Sequence, residues 1–299
     1  MSIWNAMDWV LPLRSPFFDV FFETVTLAGY PLFLILFLCF GYFALGSKRF
    51  YHTAMLLMAT GLLNSWLKDF GQDPRPDALY ALDGRVGTSY GWPSGHTMVA
   101  VVLWGYLAYT VRQNWAYLAA VVMIGLQAFS RLYLGVHDLG DVASGFVFGA
   151  LCLAAYVAAE RNAAMQNRLA ALPLPQMLVG LVALHIIFVV TYPSHTGHHA
   201  PFWFAGLMVG WLLGRYWRGH EEVHLAEAVV ARALVAAVLT GISFVLMLVT
   251  TRLPEALVGD VAIVDYGFGI VFGVAVTAVL PWLVSKIARV TALVSRKAW

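Results

Sequence analysis

The 299 residues are 61% hydrophobic and only 11% charged, with a mean hydropathy of +0.76. That leaves too little polar surface for a soluble globule and points to a polytopic membrane protein. A formal charge of +2, with no basic tract carrying interleaved aromatics, excludes nucleic acid as a partner.

Met1 to Asp8 lack a basic n-region and carry Trp4 and an acid, so no cleavable signal peptide is read there. Over 2–26, helical spacing gathers Phe17, Phe18, Phe21, Phe22 and Val25 on one side and Asp19, Glu23 and Thr26 opposite, with breaks at Pro12, Arg14 and Pro16. This predicts an interfacial N-terminal helix within 1–27 that lies on the bilayer instead of crossing it. About nine spans follow, at roughly 28–45, 52–68, 96–112, 115–130, 140–159, 176–192, 202–217, 233–251 and 262–284. The expected fold class is all-α, a polytopic transmembrane helical bundle. Its organisation is a five-span core over 28–160, four additional spans over 161–284, and a tail over 285–299.

Three polar clusters interrupt the apolar runs. They are Lys68-Asp69-Phe70-Gly71-Gln72-Asp73-Pro74-Arg75-Pro76, then Pro93-Ser94-Gly95-His96, then the stretch from Ser130 to Asp141. Each falls at the end of a predicted span, and all three emerge on one side of the membrane. Lys68, Arg75 and Arg131 supply cations, two of them forked donors that match phosphate geometry. Ser94 offers a hydroxyl, and Gly95 lets a backbone N–H approach an oxyanion. His96 opens a predicted helix, whose free N–H groups favour an anion. His137 and Asp141 are four apart and would share a helix face, the carboxylate fixing the imidazole tautomer. Together these residues read as phosphoryl transfer through a phosphohistidine.

The pattern Lys-x6-Arg-Pro, Pro-Ser-Gly-His, Ser-Arg-x5-His-x3-Asp resembles the type-2 phosphatidic acid phosphatase superfamily, without departure at any position. The flanking spans resemble bacterial integral-membrane members and, more loosely, the sphingosine-phosphate phosphatases. The resemblance implies that His137 is the nucleophile, Asp141 its orienting carboxylate and His96 the acid that protonates the leaving group. It places phosphate on Lys68, Arg75, Ser94, Gly95 and Arg131, with neither metal nor cofactor. The implied substrate is a lipid phosphate or diphosphate drawn from the bilayer. Phosphatidic acid, phosphatidylglycerol phosphate, undecaprenyl diphosphate, a lipid A phosphate and a sphingoid-base phosphate all fit, with a slight tilt to a long-chain monophosphate.

Basic residues orient the chain. If Lys48 and Arg49 are cytoplasmic, so are Arg112, Arg161, Arg168, Arg215, Arg218, Arg232, Lys286, Arg289, Arg296 and Lys297. Setting Lys68, Arg75 and Arg131 aside, the bias is twelve to three, with Arg14, Arg85 and Arg252 outside. The N-terminus and the site then face out, in a bacterium to the periplasm or extracellular face, and the C-terminus faces in.

The loop from Asp69 to Trp92 is expected to lie over the site and influence head-group access. The outer loop with His195, His198 and His199 reads as a lipid-facing cap or a polar turn, and a metal site there lacks an accompanying acid or cysteine. Cys39 and Cys152 sit in apolar runs and read as free thiols. Asp265, near the outer end of the last run, reads as reaching water. Gly267, Gly269 and Gly273 include a Gly-x-x-x-Gly pair suited to close packing, within the chain or between copies in a homo-oligomer. The tail from Ser285 to Trp299 carries four cations among Ile287, Val290, Leu293 and Val294 and reads as amphipathic on the anionic inner leaflet.

Rival functions remain open. A lipid or sugar acceptor in place of water would make the same residues a phosphotransferase. A transporter or flippase fits the span number, but here ionisable residues collect at the outer boundary and not at the midplane.

Overall fold

The computed structural model describes residues 7–192, 200–218, 229–258 and 261–286. Among the described residues all regular structure is helical. A 3₁₀ helix, Asp8–Leu13, precedes α1 (Pro16–Leu27), α2 (Pro31–Ala44) and α3 (Ser47–Gly71). Two 3₁₀ turns, Ala78–Tyr80 and Gly84–Val86, lie in the loop before α4 (Gly95–Val111). Then come α5 (Asn114–Tyr133), α6 (Leu139–Arg161), α7 (Ala163–Ala171), α8 (Leu174–Thr191), α9 (Ala200–Trp217), α10 (Val229–Val258) and α11 (Ala262–Val274). A π-helical turn, Ala275–Val279, continues α11. His195, His198, His199 and the tail beyond Lys286 lie outside the described residues.

Each expected span coincides with a helix, and α7 is an additional short one. Among the described residues, four helical stretches are long and apolar enough to cross a membrane: Asn114–Tyr133, Leu139–Arg161, Val229–Leu253 and Ile263–Lys286. The number rises to six if the bent pairs Pro16–Leu27 with Pro31–Ala44, and Ala163–Leu169 with Leu174–Phe188, each count as one span. The protein is therefore an integral membrane protein. Helix α3, with 25 residues, is long enough at about 37 Å but not apolar enough, since it carries Lys48, Arg49, His52, Asn64, Lys68 and Asp69. Helix α4 is short, at 17 residues. Both supply site residues, but α4 falls short by length alone and α3 by its polar residues.

The amino-terminal segment is not one continuous helix. Ser15 caps α1 by accepting from the Phe18 amide, and Pro16 takes the first helical position, where its missing N–H costs nothing. Phe17, Phe18, Val20 and Phe21 are exposed, as a bilayer-facing surface requires. Thr26, placed by periodicity on the outward polar side, is instead fully buried together with Phe22. The two are four residues apart and share the face that packs on α5, where Phe22 meets Phe129 and Tyr133.

The chain forms two compact units, one of Met1–Leu34 with Ala59–His198 and one of Ile35–Met58 with His199–Trp299. In the first, α6 lies close against α4. A Cβ on Gly145 would come within 2.6 Å of the Ser94 carbonyl, and one on Gly149 within 2.9 Å of the Met98 carbonyl. In the second, α9 and α11 touch backbone to backbone. A Cβ on Gly206 or Gly210 would sit 1.9 Å from the Tyr266 carbonyl or 2.2 Å from that of Ile270. From the other side, Gly269 and Gly273 face Trp203 and Trp211 of α9, so this pair is engaged in packing within the chain. Cys39 and Cys152 are free thiols, the first buried.

Candidate active site

The first unit brings the ends of α3, α4, α5 and α6 to one locus. Helix α6 begins with a reciprocal cap. The Asp141 amide donates to Asp138 Oδ1 at 2.9 Å, and the Asp138 amide donates back to Asp141 Oδ2 at 3.3 Å. His137 therefore precedes the helix and shares no helical face with Asp141, contrary to the expectation from their spacing. The pair meets because the third helical residue reaches back over the cap. His137 Nδ1 lies 2.9 Å from the same Asp141 Oδ2, and both side chains are buried. A carboxylate on Nδ1 holds the proton there and leaves Nε2 with its lone pair.

Arg75 occupies that free nitrogen, its Nη1 lying 3.1 Å from His137 Nε2 and donating to the Val136 carbonyl at 2.8 Å. The rest of the guanidinium is fixed by Ser89, through Nε to its carbonyl and Nη2 to its hydroxyl, both at 2.7 Å. Burial first, then neighbouring Arg131, brings Arg75 down to about 10, so it still carries its charge near neutrality. Lys68, on the last turn of α3, donates to the Tyr90 carbonyl and, at 2.8 Å, to that of Gly91.

At the start of α4, the Ser94 amide donates to the Asp141 carbonyl at 2.9 Å, which joins the second and third clusters. The Ser94 hydroxyl is buried and accepts from Thr97. Gly95 has no room for a side chain, since a Cβ would come within 2.7 Å of Asn64 Oδ1. His96 stands edge-on to the Tyr30 ring, centroids 4.6 Å apart, and its Nε2 is buried without a partner. A Cβ on Gly29 would strike the His96 ring at 2.3 Å, so the glycine is what admits it.

Arg131 is buried near the end of α5. Its Nη1 donates to the Thr26 hydroxyl and, at 2.9 Å, to Asp83 Oδ2. All eight residues expected from the sequence thus belong to one unit, and Lys68, Arg75 and Arg131 all lie near enough to His137 to act on its charge. Burial chiefly, then these three cations in that order, holds the His137 imidazole well below its ordinary value of 6.5. A depressed value for a base means the ring stays neutral until the pH falls well under 6.5, and only the neutral ring can attack. A ¹⁵N NMR titration of the detergent-solubilised protein, assigned with His137→Gln, should give His137 a midpoint below 6.5. A midpoint at or above that value contradicts the site electrostatics.

Sequence reasoning missed Thr26, Tyr30, Asn64, Asp83 and Ser89. Asn64 was accessible, lying one helical turn before Lys68 and donating to the Pro93 carbonyl at 3.1 Å. The other four act across loops or between distant helices, and no local periodicity marks them. The loop expected to overlie the site bonds to its members directly, through Asp83 to Arg131, Ser89 to Arg75, and Tyr90 and Gly91 to Lys68.

Residues 49–165, which contain all three clusters, match the profile described as the PAP2 superfamily. They form a PAP2 superfamily domain. Among curated relatives, a lipid A 4'-phosphatase of Bacteroides thetaiotaomicron is 28% identical over 151 residues, covering 46% of this chain and 67% of that protein. The lipid phosphate phosphatase delta of Arabidopsis thaliana is 30% identical over 156 residues, covering 45% of this chain and 36% of that protein. This chain thus spans only about a third of the plant relative. The crystal structure of the first transmembrane PAP2 type phosphatidylglycerolphosphate phosphatase, from Bacillus subtilis, aligns at 26% identity with a TM-score of 0.45, covering 52% of this chain and 83% of that one. The PAP2 match ends in α7, so α8 to α11 lie beyond it.

Proposed function

We propose that this protein is a lipid phosphate phosphatase working through a phosphohistidine on its outward face. The observation that carries the reading is His137, held at Nδ1 by Asp141 at 2.9 Å and met at Nε2 by a phosphate-matching guanidinium at 3.1 Å. A phosphoryl group entering between Arg75 and the ring would take over the Arg75 donors and leave Nε2 facing phosphorus. The Nε2–P bond forms as the P–O bond to the lipid breaks, and His96 delivers a proton to the departing alkoxide. Water then attacks phosphorus, His96 takes its proton, and the N–P bond breaks to release inorganic phosphate. Lys68, Arg75 and Arg131 stabilise the charge that builds on the phosphoryl oxygens, the task a metal performs elsewhere.

The names of the relatives favour a lipid as the carrier of that phosphate. The outward face follows from the distribution of basic residues, and nine spans would place the C-terminus inside. Helix α3 has the length to cross, and its Lys68 end would sit at the outer boundary. The test is phosphate release from right-side-out vesicles, with EDTA present and the candidate lipid phosphates and diphosphates supplied from outside. Turnover of at least one lipid is expected. Activity that needs added Mg²⁺ or Zn²⁺, or that appears only in inverted vesicles, would overturn the metal-independent or outward-facing part of the reading respectively.

A further inference from the structure

Arg131 does not hang free in the site. Its partner Asp83 comes from the loop between α3 and α4, and the side chains are 1% and 0% exposed. Asp83 has both oxygens engaged. Oδ2 accepts from Arg131 Nη1 at 2.9 Å and from the Tyr30 hydroxyl at 2.6 Å, while Oδ1 accepts from Arg85 Nε at 2.7 Å. Burial alone would raise this carboxyl, but the hydrogen bonds from Tyr30, Arg85 and Arg131 together hold it below the usual carboxylate range, so it is ionised. The loop is fastened beside it, with the Leu82 amide donating to the Leu134 carbonyl at 2.9 Å. Gly135, at φ +68°, leaves room for the Tyr80 carbonyl, which a Cβ would meet at 1.9 Å. Asp83 is thereby held in register with the end of α5 that carries Arg131.

A guanidinium has more than one edge. Nη1 is committed to Asp83 and Thr26, whereas Arg131 Nε is buried with no partner. A purely structural ion pair gains nothing from leaving a buried donor unmet. The Nε edge can grip a phosphate with two parallel N–H bonds. The Tyr30 ring, whose centroid lies 5.9 Å from the guanidinium carbon and 4.6 Å from the His96 ring, links this arrangement to the second histidine.

We infer that Asp83 is a positioning residue, whose buried carboxylate fixes the Arg131 guanidinium by Nη1 so that its Nε edge is presented to the substrate's phosphoryl oxygens. This rests on the phosphatase reading above. Asp83 touches no substrate and acts only through Arg131.

The test is a double-mutant cycle on the purified full-length protein, reading kcat and KM for a hydrolysed lipid phosphate in wild type, Asp83→Asn, Arg131→Lys and the double variant. Asp83→Asn should raise KM about ten-fold, with a smaller change in kcat, and the same substitution should have little effect in the Arg131→Lys background. Equal losses in both backgrounds would mean a general structural role and overturn the inference, as would wild-type kinetics for Asp83→Asn. Should Asp83→Asn fail to accumulate, Tyr30→Phe removes one of the donors to Asp83 and should show the same dependence on Arg131. Unaltered kinetics in Arg131→Lys and Arg131→Ala would defeat the phosphatase-site reading itself. If no lipid is turned over, the cycle is read on inorganic phosphate binding by calorimetry, with the same expected and contrary results.

Discussion

Replacing His137 with alanine should lower kcat/KM for any lipid phosphate substrate by on the order of 10⁴-fold or more, whatever the leaving group. The expectation comes from geometry: His137 is the histidine whose Nδ1 is tied to a buried carboxylate while Nε2 faces the cationic cluster. On the proposed mechanism, losing it removes the bond-forming atom, while the cations that remain would still bind phosphate without cleaving it. The variant should therefore keep its affinity for inorganic phosphate while losing turnover. Initial-rate kinetics with calorimetric phosphate binding reads both. Turnover within ten-fold of wild type would show that another group attacks phosphorus.

The second large effect is conditional. His96→Ala should cost about 10²–10⁴-fold with a lipid alkoxide leaving group, the usual contribution of a general acid. With p-nitrophenyl phosphate the first step should be nearly unaffected, because that leaving group departs as a stable anion. The proposed division of labour starts from a difference between the two rings: among the described residues His96 Nε2 is buried without a hydrogen-bond partner, whereas His137 Nδ1 is held by Asp141. Single-turnover rates with the two leaving-group types decide it. Equal losses for both would show that His96 has a role other than protonating the leaving group.

How much could be read in advance depends on the range of the interaction. The chemistry-bearing residues were legible because the clusters are short and polar in an apolar chain, so each stood out from its surroundings. Helices were legible for a related reason, since long apolar runs have few alternatives in a bilayer. The relation of His137 to Asp141 came out adjacent by a different route from the one its spacing suggested, because spacing does not say where a helix begins. The cap at Asp138 decides that, and it puts His137 before the first turn. Thr26 was assigned to the wrong side for a similar reason. Hydropathy separates polar from apolar faces, but a polar side chain can be drawn inward when a buried donor such as Arg131 waits there. Asp83 was illegible altogether, because a single acid in an irregular loop has no period and its partner lies 48 residues away. The stripe of Gly206, Gly210 and Gly214 in α9 was visible in the sequence at four-residue spacing, yet became meaningful only beside Gly269 and Gly273.

The central claim is a covalent phosphohistidine on His137. Rapid-quench mixing of ³²P-labelled substrate with purified protein, stopped in alkali and digested for mass spectrometry, tests it most directly, because a phosphoramidate survives alkali and is lost in acid. The expected result is a transient label on the peptide containing His137, increased when a good leaving group is used with His96→Ala and absent in His137→Ala. Label on His96 or on a serine, or substrate turnover with no trapped intermediate under conditions where chemistry is faster than release, would contradict it.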